Sequence, residues 1–340
     1  MADIERSSLY DKCLGALVGG VIGDALGAPT EGKSPAEIDS RFGWVDDFES
    51  GGTDDTVLRD ILARTLIRTS GYATIDDWAD DWLAGWDEIF GPKQNRFFLS
   101  VLHTARRLRV QGEPRQAALG NIPCSSSAMC IAPVGLVNAC NPAQAAAQAT
   151  HLASLINVQD AGFCQDGAAI VAAAVAAACR PDATVESIVQ QALTPVPATS
   201  GARMLAGVQQ ALDAARGRDY AAFRIYVHEH RDRFFQPRKA NSLETVPLTL
   251  ALFSLAGGDV ERCVTYAANL GGDTDTMAAM AGAIAGAFGG VGAIRPDWLD
   301  KVKRNADQDQ EELARGLAAA AVTKLTRERA SGAALSSLLS

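Results

Sequence analysis

Two short segments of this 340-residue chain carry the residue types of a hard-cation site. "GGTDDT" runs from Gly51 to Thr56, and "GGDTDT" runs from Gly271 to Thr276. Each is a glycine pair, then a knot of threonine and aspartate, then an apolar run with helical spacing. Helix capping could account for them, since Thr and Asp favour the first turn of a helix and glycine frees the turn before it. Capping needs only one such residue, however, and each knot offers two carboxylates with no Lys or Arg inside it. If the knots converge, Asp54, Asp55, Asp273 and Asp275 share one site, which is costly unless a divalent cation neutralises them. All-oxygen donors without His or Cys suit Mg²⁺ or Mn²⁺ and not zinc. The matched pair makes a shared cation site the preferred expectation.

Two further segments could join them. In "GDALGAPTEG", Asp24 and Glu31 flank a turn at Pro29. Glu31 is badly placed for capping, so it is either an exposed loop glutamate or a general base or ligand beside the metals. In "NIPCSSSAMCIAPVGLVNA", Ser125, Ser126 and Ser127 offer hydroxyls and backbone N–H groups where a loop enters a helix, a pattern suited to phosphate or sugar. On the residues alone an ordinary serine-rich cap is the slightly preferred reading.

The elements that must position these groups read as helices. "DKCLGALVGGVIGDALG" spaces Gly15, Gly19, Gly23 and Gly27 four apart, and "MAAMAGAIAGAFGG" repeats the device with Gly282, Gly286 and Gly290. Glycine costs about 1 kcal/mol per interior helix position relative to alanine, so a four-spaced stripe argues for close backbone approach in i±4 packing. A dozen or so further helical patterns follow, with Asp, Asn or Thr at starts and Pro or Gly at breaks, and no convincing period-two strand series. The expectation is an all-α, compact single-domain bundle covering 1–340, with a core of about 8–326 and loosely held residues beyond. One domain must then contain both knots.

Composition agrees and excludes other classes. The chain is 48% hydrophobic but only 6% aromatic, and alanine is abundant, which points to close-packed helices. A net charge of −9 argues against a nucleic acid duplex as partner. Seven cysteines without a CxxC pair read as reduced core thiols of a cytoplasmic protein, and the polar start "MADIERSSLYDK" does not read as a signal peptide, so none is expected. Residues 277–294 are uncharged but rich in Ala and Gly, so a buried core helix is expected there and no membrane span.

Other chemistry-bearing residues read as structural. His228 and His230 lie two apart on a helix and point in different directions, which disfavours zinc. Cys130 has no nearby histidine to support a nucleophile, and Trp78, Trp82 and Trp86 form a helix face typical of a core. Arg231, Arg233, Arg238 and Lys239 form either a diphosphate grip or a solvated face.

Taken together, "GALVGGVIGDALGAPTE", "GGTDDT", "SSSAMCIAPVGL" and "NLGGDTDTMAAMAGAIAGA" resemble, in order, the motifs of the ADP-ribosylglycohydrolase family. The resemblance spans roughly 13–290. It implies an all-α fold with a binuclear Mg²⁺ centre in a central cleft, with Mn²⁺ as a substitute. It also implies Thr53, Asp54, Asp55, Asp273, Asp275 and Thr276 as metal ligands, and Glu31 with Asp55 as catalytic residues. The reaction implied is hydrolysis of the glycosidic bond at C1 of a ribose, through an oxocarbenium-like transition state. The substrate side departs from the pattern. Ser125, Ser126 and Ser127 replace the family's glycine-rich cradle, and Cys130 replaces its arginine, with Met129 retained between them. A downstream histidine corresponds either to His151 or, replaced, to Asn157. The implied partner is an ADP-ribosylated protein or small acceptor. A smaller ribosyl substrate, a two-metal phosphohydrolase and a catalytically silent relative are the alternatives.

Overall fold

The computed structural model describes residues 4–158, 161–238 and 240–339. It contains twenty α-helices and, among the described residues, no β-strand, packed as one compact all-α domain. The helices Ser8–Gly27 and Thr274–Gly289 cross antiparallel at its centre, and both are almost wholly buried. Their glycines face one another in register. A Cβ on Gly15 would overlap Gly286, one on Gly19 would overlap Gly282, and one on Gly23 would overlap the Ala278 carbonyl. At the end of the seam a Cβ on Gly27 would overlap the Asp275 backbone. The stripe therefore acts along its length as the spacing suggested, and its last member seats the second acidic knot against the end of the first helix.

Around this pair pack the alanine-rich helix Gly162–Ala178, the helices Ser242–Leu255 and Val260–Ala268, and the first half of Gln310–Ser336. Lys12 ties three of them together, because its ammonium donates to the carbonyls of Ala178, Ala287 and Phe288 at two helix C-termini. Helix Asp54–Arg68, which carries the first knot, is braced by the Arg59–Asp60 pair and by Gln310 from the last helix. Gly51 is pressed so closely against the Asn305 carbonyl that no side chain would fit.

Several sequence expectations shift in detail. The helix face read through Trp78, Trp82 and Trp86 breaks at Gly85 into Ile75–Ala84 and Trp86–Ile89. Trp78 and Trp82 are buried against each other, while Trp86 stacks on Phe90 beneath Arg109. The last helix continues to Ser336 past the expected core boundary, but every residue from Leu325 to Leu339 is exposed. No helix among the described residues is long and apolar enough to cross a membrane.

Candidate functional site

Both acidic knots hang from the C-terminal turn of the first helix. Asp24, fully buried, holds the first knot: it accepts from the Thr53 N–H and hydroxyl at 2.7 Å each, and from the Thr56 N–H at 3.0 Å and hydroxyl at 2.6 Å. Gly52, at φ +92°, lets this happen, since a Cβ would lie 2.7 Å from the Asp24 carboxylate. The second knot is held three residues further on. The Thr274 hydroxyl donates to the Gly27 carbonyl at 2.9 Å, the Thr30 hydroxyl to the Ala268 carbonyl at 2.6 Å, and the two hydroxyl oxygens lie 3.0 Å apart. The loop bearing Glu31 is stitched to the same knot, with Gly32 N–H donating to the Gly272 carbonyl and Gly272 N–H to the Lys33 carbonyl.

Neither knot caps its helix. Thr53 and Asp273 occupy the cap positions of Asp54–Arg68 and Thr274–Gly289, and neither side chain bonds a first-turn N–H. Instead the carboxylates face each other. Burial, then Asp24, Asp54, Asp275 and Asp273, pushes the Asp55 carboxyl well above the usual range. Burial, then Asp24, raises Asp54 to about 7. Burial raises Asp273 to about 6, and burial with Asp273 and Glu31 pushes Asp275 well up. Glu31, Asp273 and Asp275 can each bring an oxygen within 4.8 Å of the others. Asp55 Oδ2 is buried with no hydrogen-bond partner. An all-oxygen cluster whose members repel one another, with one acceptor unspent, fits divalent cations of the Mg²⁺ or Mn²⁺ type.

The candidate residues fall into distinct settings. Thr53, Asp54, Asp55, Asp273, Asp275 and Thr276 all lie buried at the meeting of the knots. Glu31 reaches solvent at the rim, its side chain 43% exposed and its Oε2 accepting from Arg96 at 3.3 Å. The serines are not an open cradle: Ser125, Ser126 and Ser127 are all buried. The Ser125 hydroxyl donates to Asp273 Oδ2 at 3.2 Å, and Ser127 to Asn157 Oδ1 at 2.9 Å. Met129 is buried in the four-residue helix that follows. Asn157 is thus joined to the serine segment, whereas His151 is exposed on helix Pro142–Ala153, its carbonyl accepting from Ser154.

The remaining polar candidates have structural partners. His228 and His230 bond separate backbone carbonyls, of Leu270 and Tyr226. Cys130 is buried, its thiol donates to the Ser126 carbonyl, and burial keeps it protonated. Of the basic group, Arg231 stacks on Phe235, Arg233 and Arg238 are exposed, and Lys239 lies outside the described residues. Three contributors carried no role in the sequence reading: Asp24 as the anchor of the first knot, Arg96 beside Glu31, and Glu244. The last is buried behind Asp273, and burial raises its carboxyl to about 7. Asp24 was visible in the motif, but nothing in the spacing announced which backbone it would hold.

Comparison with known proteins follows the same outline. The Escherichia coli (strain K12) protein YegU, itself uncharacterised, is 29% identical over 84% of this chain and 90% of its own. The ADP-ribosyl-[dinitrogen reductase] glycohydrolase of Rhodospirillum rubrum is 26% identical over 89% of this chain and 94% of its own. Human ADP-ribosylhydrolase ARH3 is 25% identical over 87% and 90%. A solved structure, an ADP-ribosylglycohydrolase-related protein complex, shares the fold with a TM-score of 0.60 and 23% identity, covering 92% of this chain and 98% of that one. The ADP-ribosylglycohydrolase family model matches residues 5–329. With a match of that extent, the chain belongs to the ADP-ribosylglycohydrolase family and is a glycoside hydrolase.

Proposed function

We propose that this enzyme uses divalent cations held between the two knots to hydrolyse the glycosidic bond at C1 of an ADP-ribosyl group attached to a protein side chain or small acceptor. The observation that carries the metal reading is the buried, unspent Asp55 Oδ2 among mutually repelling carboxylates. Thr53, Asp54, Asp55, Asp273, Asp275 and Thr276 would hold the cations. When bound, these supply positive charge that neutralises the carboxylates and polarises a ribose hydroxyl and a water. Ser125 and Asp24 keep the two knots in place, through Asp273 and through Thr53 and Thr56. Glu31, at the solvent edge of the cluster, is the residue suited to take the proton of the attacking water, while Arg96 orients its carboxylate.

Support for a diphosphate-bearing substrate comes from the far side of the serine segment. There a concave groove of about 400 Å³ is lined by Ile122, Pro123, Phe163, Arg203, Arg238 and Asn241. Arg203 lies over the Phe163 ring at 4.9 Å, and two arginines with one aromatic ring in a groove suit phosphates joined to a planar base. A second reading, a smaller ribosyl substrate, is favoured by one observation: the serines that replace the family's cradle are buried and bonded internally.

A panel of ADP-ribosyl-arginine, ADP-ribosyl-serine, O-acetyl-ADP-ribose and plain nucleosides tests both. Release of ADP-ribose with a free C1 hydroxyl, abolished by EDTA and restored by Mg²⁺ or Mn²⁺, is expected. Turnover of nucleosides alone would select the smaller substrate. Full activity in chelator, or released phosphate in place of a sugar, would overturn the proposal.

A further inference from the structure

Glu244 occupies the third position of helix Ser242–Leu255, after the Asn241 cap. A glutamate there ordinarily turns back to the backbone N–H of the cap residue. Here the Asn241 side chain caps Leu243 N–H, and the Glu244 carboxylate reaches away from its own helix. Its Oε2 accepts from Gln236 N–H at 2.9 Å, and its Oε1 lies against the Gly272–Asp273 peptide. The side chain is buried to 3% exposure. Gly272, at φ +89°, makes the approach possible, since a Cβ there would lie 3.0 Å from Glu244 Oε1 and 2.8 Å from the Phe235 ring.

A buried carboxylate beside Asp273 is a poor choice for stability, because it adds like charge where charge is already in excess. Its geometry supplies the reason. Asp273 is held from two sides, with the Glu244 carboxylate against its peptide and the Ser125 hydroxyl donating to its Oδ2 at 3.2 Å. The same carboxylate ties this grip to the Phe235–Gln236 turn, so the second knot is referenced to helix Ser242–Leu255 as well as to the first helix.

We propose that Glu244 is a positioning residue of the metal centre, fixing the Asp273 peptide so that the Asp273 carboxylate is presented to the cation. The proposal rests on the reading of Asp273 as a ligand. Outer partners that orient metal ligands typically change metal affinity about 10- to 100-fold when replaced. Mn²⁺ binding to the full chain, followed by loss of the free-ion electron paramagnetic resonance signal, reads this without turnover. Glu244→Gln keeps the size but replaces one carboxylate oxygen with an N–H₂ group that cannot accept from a peptide. It is expected to bind Mn²⁺ about 10- to 100-fold more weakly, with a melting temperature in chelator no lower than that of the parent. Its turnover is expected to recover as Mn²⁺ is raised, with the substrate KM unchanged. Parent-like Mn²⁺ affinity in Glu244→Gln would overturn the proposal, whereas a parent protein that binds no Mn²⁺ would overturn the metal reading itself. If Glu244→Gln fails to fold, Glu244→Asp, which keeps the charge but is too short to reach from Gln236 to the Asp273 peptide, carries the same comparison.

Discussion

Asp24 and Asp55 are buried carboxylates on neighbouring helices put to opposite uses. Asp24 has its oxygens filled by four donors from Thr53 and Thr56, whereas Asp55 Oδ2 has none. The first stabilises the fold, and the second is held in reserve at the expense of the fold. Asp24→Ala is therefore expected to destabilise by about 2–4 kcal/mol, because it strands two buried backbone N–H groups, each costing about 1–3 kcal/mol unmet. Urea denaturation checks it, and Asp24→Asn should cost less, since the amide oxygen can keep the N–H bonds. Asp55→Asn should move stability the other way. At neutral pH in chelator it relieves repulsion from Asp24, Asp54, Asp275 and Asp273, so the melting temperature should rise. Turnover should meanwhile fall by about 100-fold or more, as when one charge-stabilising group is lost from an active site. An Asp55→Asn protein that keeps its turnover, or melts lower than the parent in chelator, would contradict this assignment.

Among the elements, the glycine seam sets how closely the first helix and Thr274–Gly289 approach, and hence where the knots sit. Gly282→Ala gains about 1 kcal/mol of helix propensity but drives a methyl into the Gly19 backbone, an overpacking cost of about 1–3 kcal/mol, so a net loss is expected. Gly332→Ala, in the exposed part of the last helix with nothing within 4 Å, has the gain without the cost and should stabilise by up to about 1 kcal/mol. Thermal melts of the pair should shift in opposite directions; a stabilised Gly282→Ala would mean the seam is looser than it looks. These elements were largely legible in the sequence, because a four-spaced glycine row weakens a helix unless another backbone meets it there, and the knots announce helix starts. The break at Gly85 was not, since it depends on packing between distant segments, and the short helix Pro35–Arg41 went unread although its Ser34–Glu37 capping box is local. The site shows the same division. The acidic side chains could be read from spacing, but Glu244 stands at an ordinary capping position and only the folded chain turns it towards Asp273. The serines read as a ligand cradle or a plain cap, and only the folded chain shows the Ser125 and Ser127 hydroxyls spent on Asp273 and Asn157.

For the whole molecule, the charge stored at the knots is expected to make stability depend on pH and, on the proposed metal reading, on cations together. Burial raises Asp54 to about 7 and Asp273 to about 6, and pushes Asp55 and Asp275 well up. A carboxyl raised above its unfolded value near 4 weakens the metal-free fold as pH rises from that value through the folded one, because the unfolded chain releases its proton first. His228 has the opposite sign. Burial lowers it to about 4, so it costs stability as pH falls from about 6.5, where the unfolded ring gains a proton, towards 4. Its ring bonds the Leu270 carbonyl, and it contributes nearly equally with and without a cation, so a difference measurement removes it. The cation must displace protons from the knots, so the rise in melting temperature from EDTA to saturating Mg²⁺ should be small near pH 5 and grow steadily towards pH 8. A calorimetric series across that range reads the difference directly. A cation effect that is flat with pH would place the bound ion away from the raised carboxyls, and no effect at all would leave the convergence of the two knots without its counter-charge.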